Sequence, residues 1–359
     1  MALLTGCSGT GGAAVATTAK ATDSPGPVTT PTPTSTGSPV ATPVAEATAY
    51  PAGSLYVANN SGIPTPVQGS TPPPIVFSIS IFAPGANGNA TPLGTIGGGA
   101  TGLLSPRTPA VDAAGRIYVP NGAASITVYA PGASGNVAPV ETIAGSNTGL
   151  RYPQAVALDS TGNIYVADDG AGEIFNFGPF KPGTQNTAPI GMIGGPEAQF
   201  GGGPLALTIF DGLIYTSTSS TNGSPTIIEA FPVGTSGTNV QPVSTLGSSD
   251  FDFLVGVAFD ANHNAYVETS TSQTLDVFAN VGGSVPSGNA TPSESYAAGQ
   301  SDGYGPALDS AGNIYVATDE PDAIEVFPPY VAGASGISAT RTIAGSNTGL
   351  DRPDGVAIH

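Results

Sequence analysis

The 359-residue chain contains two histidines, one cysteine and seven Lys or Arg side chains, so residues suited to chemistry are scarce. A histidine base or a zinc site needs imidazoles converging on a reactive point. His263 ends the run Asp260-Ala-Asn-His263, where parallel segments carry glycine, and it reads as a residue tolerating a left-handed turn. His359 takes a turn-aspartate position at the chain end, so both imidazoles belong to hairpins rather than to a cleft. No Ser-His-Asp arrangement or Cys-His pair is on offer. Gly97-Gly-Gly99 and Gly201-Gly-Gly203 lack the lysine and strand-loop-helix setting of a phosphate loop. Oxygen ligands are more plentiful. Asn59, Asn121, Asp168 and Asp319 suit a hard cation by type. Asp112, Asp159, Asp260 and Asp309 recur before Gly or His three residues on, which suits a side chain capping its own turn better than calcium binding.

Composition narrows the partners. The net charge is −18, and Lys20, Arg107, Arg116, Arg151, Lys181, Arg341 and Arg352 are scattered along the chain. Nucleic acid binding needs clustered cations to neutralise phosphates, so it is excluded, and acidic lipid surfaces are disfavoured. Only 9% of residues are charged while 39% are hydrophobic, which gives a core beneath a Ser, Thr, Asn and Gly surface suited to an exported bacterial protein. A single cysteine rules out an internal disulfide framework. No apolar run approaches the length of a membrane span.

Leu4-Thr5-Gly6-Cys7 has the form of a lipobox, whose cysteine is acylated, although no basic stretch and almost no apolar stretch precede it. The alternative is a stray cysteine. Residues 8–50 are rich in Thr, Pro, Ser and Ala and bury too little apolar surface to order themselves. They are expected to be a disordered tether spanning on the order of 35 Å, or a passive linker.

Residues 51–359 are organised by a repeat. Tyrosines at 56, 118, 165, 215, 266 and 315 each sit in a run such as Ile164-Tyr165-Val166. Around each lie four short runs of β-branched and aromatic residues bounded by Gly, Pro or Asn, which is the pattern of strands. The first run leads into Asp, the second holds the tyrosine, the third alternates, and the fourth ends Thr-Ile-X-Gly, as in Thr142–Gly145 and Thr342–Gly345. Asn-X-X-Pro recurs between the third and fourth runs at Asn89, Asn136, Asn186, Asn239 and Asn289, while the sixth copy has Ile337 to Thr340 there. Structure begins at a second strand and ends on a first strand, Gly355-Val-Ala-Ile-His359. The last strand therefore completes the first sheet, and six four-stranded antiparallel blades close a ring.

Pro153-Gln-Ala-Val-Ala-Leu-Asp-Ser-Thr-Gly-Asn-Ile-Tyr-Val-Ala-Asp168 resembles an NHL-type repeat, and residues 51–359 are similar to six-bladed NHL or TolB-like β-propellers. The copy around Tyr215 departs most, reading Leu207-Thr-Ile-Phe-Asp-Gly212. The resemblance implies an all-β ring that binds ligands over its axis, on the rim formed by the 2–3 and 4–1 loops. Related rings include scaffolds, receptors, lyases and lactonases, so fold alone does not assign chemistry. On that rim the candidates are Asn59, Asn121, Arg151, Tyr152, Asp168, Asp319, Arg352 and Asp354, with Arg107, Asp250, Asp252 and Tyr304 nearby. They suit a carbohydrate, peptide or protein ligand, the alternative being a solvated loop face. The expected protein is a monomeric, non-enzymatic binding or scaffold propeller outside the cytoplasm, touching a membrane only through Cys7. No catalytic residue, cofactor or metal is assigned, a single axial Ca2+ or other divalent cation being the exception considered. A metal-dependent lactonase or lyase and a structural envelope protein are the alternatives.

Overall fold

The computed structural model describes residues 48–60, 77–198, 200–218, 226–248, 251, 254–269, 273–281, 288–299, 305–334 and 336–359. Cys7, most of the tether, Asp250, Asp252 and Tyr304 lie outside these residues.

Six antiparallel sheets form a six-bladed β-propeller. Blade 3 shows the plan: an inner strand Pro153–Leu158, the tyrosine strand Asn163–Asp168, a third strand Glu173–Pro179 and an outer strand Gly191–Ile193. Blade 1 is made from both ends of the chain. Its inner strand Pro353–Ile358 pairs antiparallel with Leu55–Asn59, placing Tyr56 opposite Ala357. Ser78–Phe82 and Gly94–Gly97 complete it. The expected ring closure is therefore present.

Among the described residues the hydrophobic core falls into six clusters, one in each gap between blades. Along each tyrosine strand, alternate side chains face opposite neighbours. Tyr56 and Ala58 pack with Ile117 and Val119 of blade 2, whereas Leu55 and Val57 pack with Tyr315 and Ala317 of blade 6. This explains why the tyrosine strands are apolar on both faces. All six tyrosines are buried, each ring contributing roughly 2–3 kcal/mol through lost apolar surface. Their hydroxyls need partners. Those of Tyr118, Tyr266 and Tyr315 donate to Asp112, Asp260 and Asp309.

The recurring aspartates do cap their turns. Asp159 Oδ1 accepts from the backbone N–H of Thr161 at 2.9 Å and of Asn163 at 3.0 Å, and its Oδ2 accepts from Asn163 Nδ2 at 2.8 Å. The motif Asp-X-X-Gly-Asn-Ile-Tyr is thus one hydrogen-bonded unit. His263 replaces the turn glycine at φ 62°, with its N–H bonded to the Asp260 carbonyl. Blade 4 substitutes a two-residue turn at Asp211-Gly212, both with positive φ, as a type I′ hairpin requires.

The Asn-X-X-Pro loops have a wider role than turning. Each crosses to the preceding blade and adds a parallel pairing to its outer strand: Gly135 beside Ile96, Gly183–Gln185 beside Glu141–Ile143, Gly237 beside Ile193 and Gly88 beside Ile343. The asparagine side chain then accepts a backbone N–H from that blade's 4–1 loop. Asn136 takes Ala100, Asn186 takes Asn147, and Asn89 takes Asn347 across the ring seam, at 2.7–2.9 Å. A Cβ on Gly145 would stand 2.5 Å from Asn186 Cγ, at φ +112°. The glycine ending Thr-Ile-X-Gly is therefore required by conformation and by space. The belt also covers outer edges that would otherwise offer unpaired backbone groups.

Candidate functional site at the channel mouth

Inner strands converge on the axis and carry small residues such as Ala110, Ala157, Ala258 and Ala307, leaving a central cavity of about 390 Å3 walled by all six blades. Its mouth is the end where the 4–1 loops enter these strands. Register defines equivalent positions there. Pro106, Pro153, Pro204 and Pro353 pair with Asn121, Asp168, Thr218 and Asn59. The residue after each proline is Arg107, Gln154, Leu205 and Asp354 respectively. One side of the mouth is thus polar and charged, and blade 4 contributes an apolar side chain.

Asp354 and Arg107 form an ion pair at 2.8 Å, with side chains only 5% and 12% exposed. Asp354 also accepts from Asn60 Nδ2 at 3.2 Å, and Asn60 accepts from Ser105 Oγ at 3.1 Å. Arg107 donates to the Tyr152 hydroxyl, and its guanidinium carbon lies 5.4 Å from the centre of that ring. Three blades thereby share one network. Desolvation outweighs the pull of Arg107 and Asn60 and leaves the Asp354 carboxyl raised to about 6. Asp354 is therefore ionised at neutral pH, yet held closer to protonation than an exposed aspartate. Asp169 is also raised by burial, with Gln154 and Arg107 opposing. Two carboxylates with weakened acidity thus lie within the field of one guanidinium.

The eight sequence candidates divide into two groups. Asn59, Asn121 and Asp168 end their tyrosine strands and are at most 1% exposed. Their acceptor oxygens are occupied by 4–1 loop backbone: Asn59 takes Asp351 N–H, Asn121 takes Leu104 N–H, and Asp168 takes the N–H groups of Arg151 and Tyr152. The side-chain amides of Asn59 and Asn121 donate to Ser78, Ser80 and Thr127. These residues hold the loops that shape the mouth. Tyr152 and Asp354 enter the network. Arg151 and Arg352 are exposed around it; Arg352 N–H donates to Asp322 Oδ1 at 2.7 Å. Asp319 stands one register position beyond the Asn59 class, equivalent to Asn60 and Asp169, opposite Asp322 in its hairpin. Among the described residues, no group of three or more His, Cys, Asp or Glu side chains is arranged to hold a metal ion.

Asn60, Ser105, Gln154 and Asp169 were not singled out from sequence. The signal that finds Gln154 beside Arg107 and Asp354 is the proline preceding each, which sets the register of the three inner strands.

No family model matches the sequence, and no curated protein matches it. Solved structures do. A putative 6-phosphogluconolactonase from Bacteroides uniformis is 12% identical, covers 85% of this chain and 98% of its own, and superposes with a TM-score of 0.52. A PQQ-bound aldose sugar dehydrogenase from Streptomyces coelicolor is 18% identical over 67% of this chain and 82% of its own, with a TM-score of 0.45. A protein from Lactobacillus plantarum is 11% identical over 85% and 98%, with a TM-score of 0.47. At such identities the likeness is one of fold. The class shown is a six-bladed β-propeller.

Proposed function

We propose that this chain is a non-catalytic binding propeller working outside the cytoplasm, and that it seats a neutral polyhydroxylated ligand, a saccharide, in the channel mouth. The observation carrying this reading is the Arg107–Asp354 pair. It is a desolvated donor and acceptor set beside the Tyr152 ring, at a register position that blade 4 fills with leucine. Blade packing does not require charge there, and a desolvated pair contributes little to stability on its own. Sugar hydroxyls both donate and accept, so they can bridge such a pair without leaving a charge unmatched, while a ring face packs on tyrosine. The sparsely charged composition and the lipobox-like Cys7 support an extracytoplasmic setting. The test is a glycan array probed with the intact chain, followed by titration calorimetry of any hit. Asp354→Asn and Tyr152→Ala, each checked for folding by circular dichroism, should weaken binding at least tenfold. A blank array with folded protein, or a peptide library hit in its place, rejects the saccharide.

A second reading is favoured by the Asp354 carboxyl, raised to about 6 beside Arg107 and therefore suited to proton transfer, with Asp169 also raised by burial in the field of the same guanidinium. Ring opening of a sugar lactone, the activity named for the Bacteroides neighbour, is the reaction to assay. Hydrolysis of δ-gluconolactone above the spontaneous rate, lost in Asp354→Asn, would replace the binding reading.

A further inference from the structure

On the opposite face, between blades 2 and 3, lies a cavity of about 720 Å3 unrelated to the channel. Its walls are Ala49, Pro131, Val140, Phe180 and Pro182, with Arg116 as the one charged side chain among the residues that line it. Three features of the fold bring these together. The 3–4 loop of blade 3 reaches back to the outer strand of blade 2, which carries Phe180 and Pro182 to Val140. Arg116 ends the capped turn of Asp112, to which its Nε donates at 2.7 Å. Residues 48–50 cross the base of blade 2, fixed by the Tyr50 hydroxyl on the Ala133 carbonyl, and a Cβ at Gly115 would stand 2.7 Å from that of Ala49.

The guanidinium carbon of Arg116 sits 4.4 Å from the centre of the Phe180 ring, so the ring fixes its plane. Only Nε is engaged by Asp112. The guanidinium also engages the Tyr118 hydroxyl, and at 32% exposure it still presents N–H donors to the cavity. A guanidinium held flat, with part of its donor edge exposed, matches a carboxylate. Lys181, exposed between the two wall residues Phe180 and Pro182, adds a second positive charge. In a chain of net charge −18, one of the seven cations therefore lines an apolar cavity of the size that small ligands occupy, and a second follows the wall residue Phe180 in sequence.

We propose that this cavity is a binding site for a small amphiphilic carboxylate, its acid group on Arg116 and its hydrocarbon against Phe180, Val140 and Pro131. The site is independent of the channel mouth and does not rest on the saccharide reading. The probe is octanoate, with octan-1-ol as the uncharged control, titrated into the intact chain and followed by ligand-observed NMR and calorimetry. Octanoate should bind saturably and octan-1-ol at least tenfold more weakly. Arg116→Met, which keeps the stem over Phe180, should weaken octanoate at least tenfold. Ala114→Trp, which fills the cavity from an exposed turn position, should abolish binding, while Tyr152→Ala at the far face should leave it intact. Absence of saturable binding to the folded chain, equal affinity for the alcohol, or affinity unchanged in both Arg116→Met and Ala114→Trp would overturn the proposal.

Discussion

Glu229 offers the sharpest test of how this ring handles buried charge. It lies on the third strand of blade 4, Ile227–Pro232, with Thr216 and Thr245 as its cross-strand neighbours. Ile228 and Ala230 face blade 5, so Glu229 shares the blade 3 side with Phe231. The residue is 0% exposed, and neither carboxyl oxygen has a hydrogen-bond partner among the described residues. Desolvation alone raises its pKa from 4.5 to about 8. At 1.36 kcal/mol per unit, the folded state binds this proton more tightly by about 3–5 kcal/mol. The folded pKa being the higher one, this stability is complete below pH 4.5 and drains away as pH rises towards 8, where the unfolded chain has released the proton. Glu229→Gln keeps the shape and cannot ionise. Urea unfolding followed by circular dichroism should show the two proteins within about 1 kcal/mol at pH 5 and the glutamine variant ahead by about 3 kcal/mol at pH 8.5. Glu141, raised by burial to about 7, and Asp354 tilt both profiles in the same direction and cancel in the difference. Parallel profiles from pH 5 to 8.5 would refute the reasoning.

Other expectations follow from the belt and the turns. Asn186→Ala should cost about 1 kcal/mol through the lost cap on Asn147, and Gly145→Ala about 2–3 kcal/mol through strain and overlap. In the double variant the glycine substitution should cost less, because Asn186 no longer obstructs the new Cβ, which a thermal-denaturation cycle will measure. Asp159 is pulled up by desolvation but brought below the ordinary carboxylate value overall by hydrogen bonds from Asn163 and Thr161. Its stabilisation should be present above the unfolded pKa and fade as pH falls below about 4, so Asp159→Asn should narrow the gap to wild type in acid unfolding. Removing residues 353–359 deletes the inner strand of blade 1 and should abolish cooperative unfolding, as read by calorimetry.

The ring was legible because its signals are local and repeated. One tyrosine per second strand, the Asp-X-X-Gly turn and a terminal first strand each follow from chain geometry within a few residues. Ring closure required only that the strand count balance. The belt was visible as Asn-X-X-Pro but not as a belt, since Asn186 acts on a loop 39 residues upstream and Asn89 on one 258 residues downstream. The mouth was half legible for the same reason. Tyr152 and Asp354 stand out by type, but Arg107 and Asp354 are 247 positions apart and meet only because the ring closes. Asn59, Asn121 and Asp168 show the converse limit. Their types and register suggest ligands, yet their oxygens hold loop backbone, a use that sequence pattern cannot separate from an open site.

Hydrogen–deuterium exchange on the intact chain, with and without a saccharide identified by array, addresses the binding reading most directly. It predicts slowed exchange in residues 103–108, 151–154, 168–172 and 351–355, the backbone that frames Arg107, Tyr152 and Asp354. Protection confined to the 3–4 loops of the far face, or spread evenly over all six blades, would contradict it.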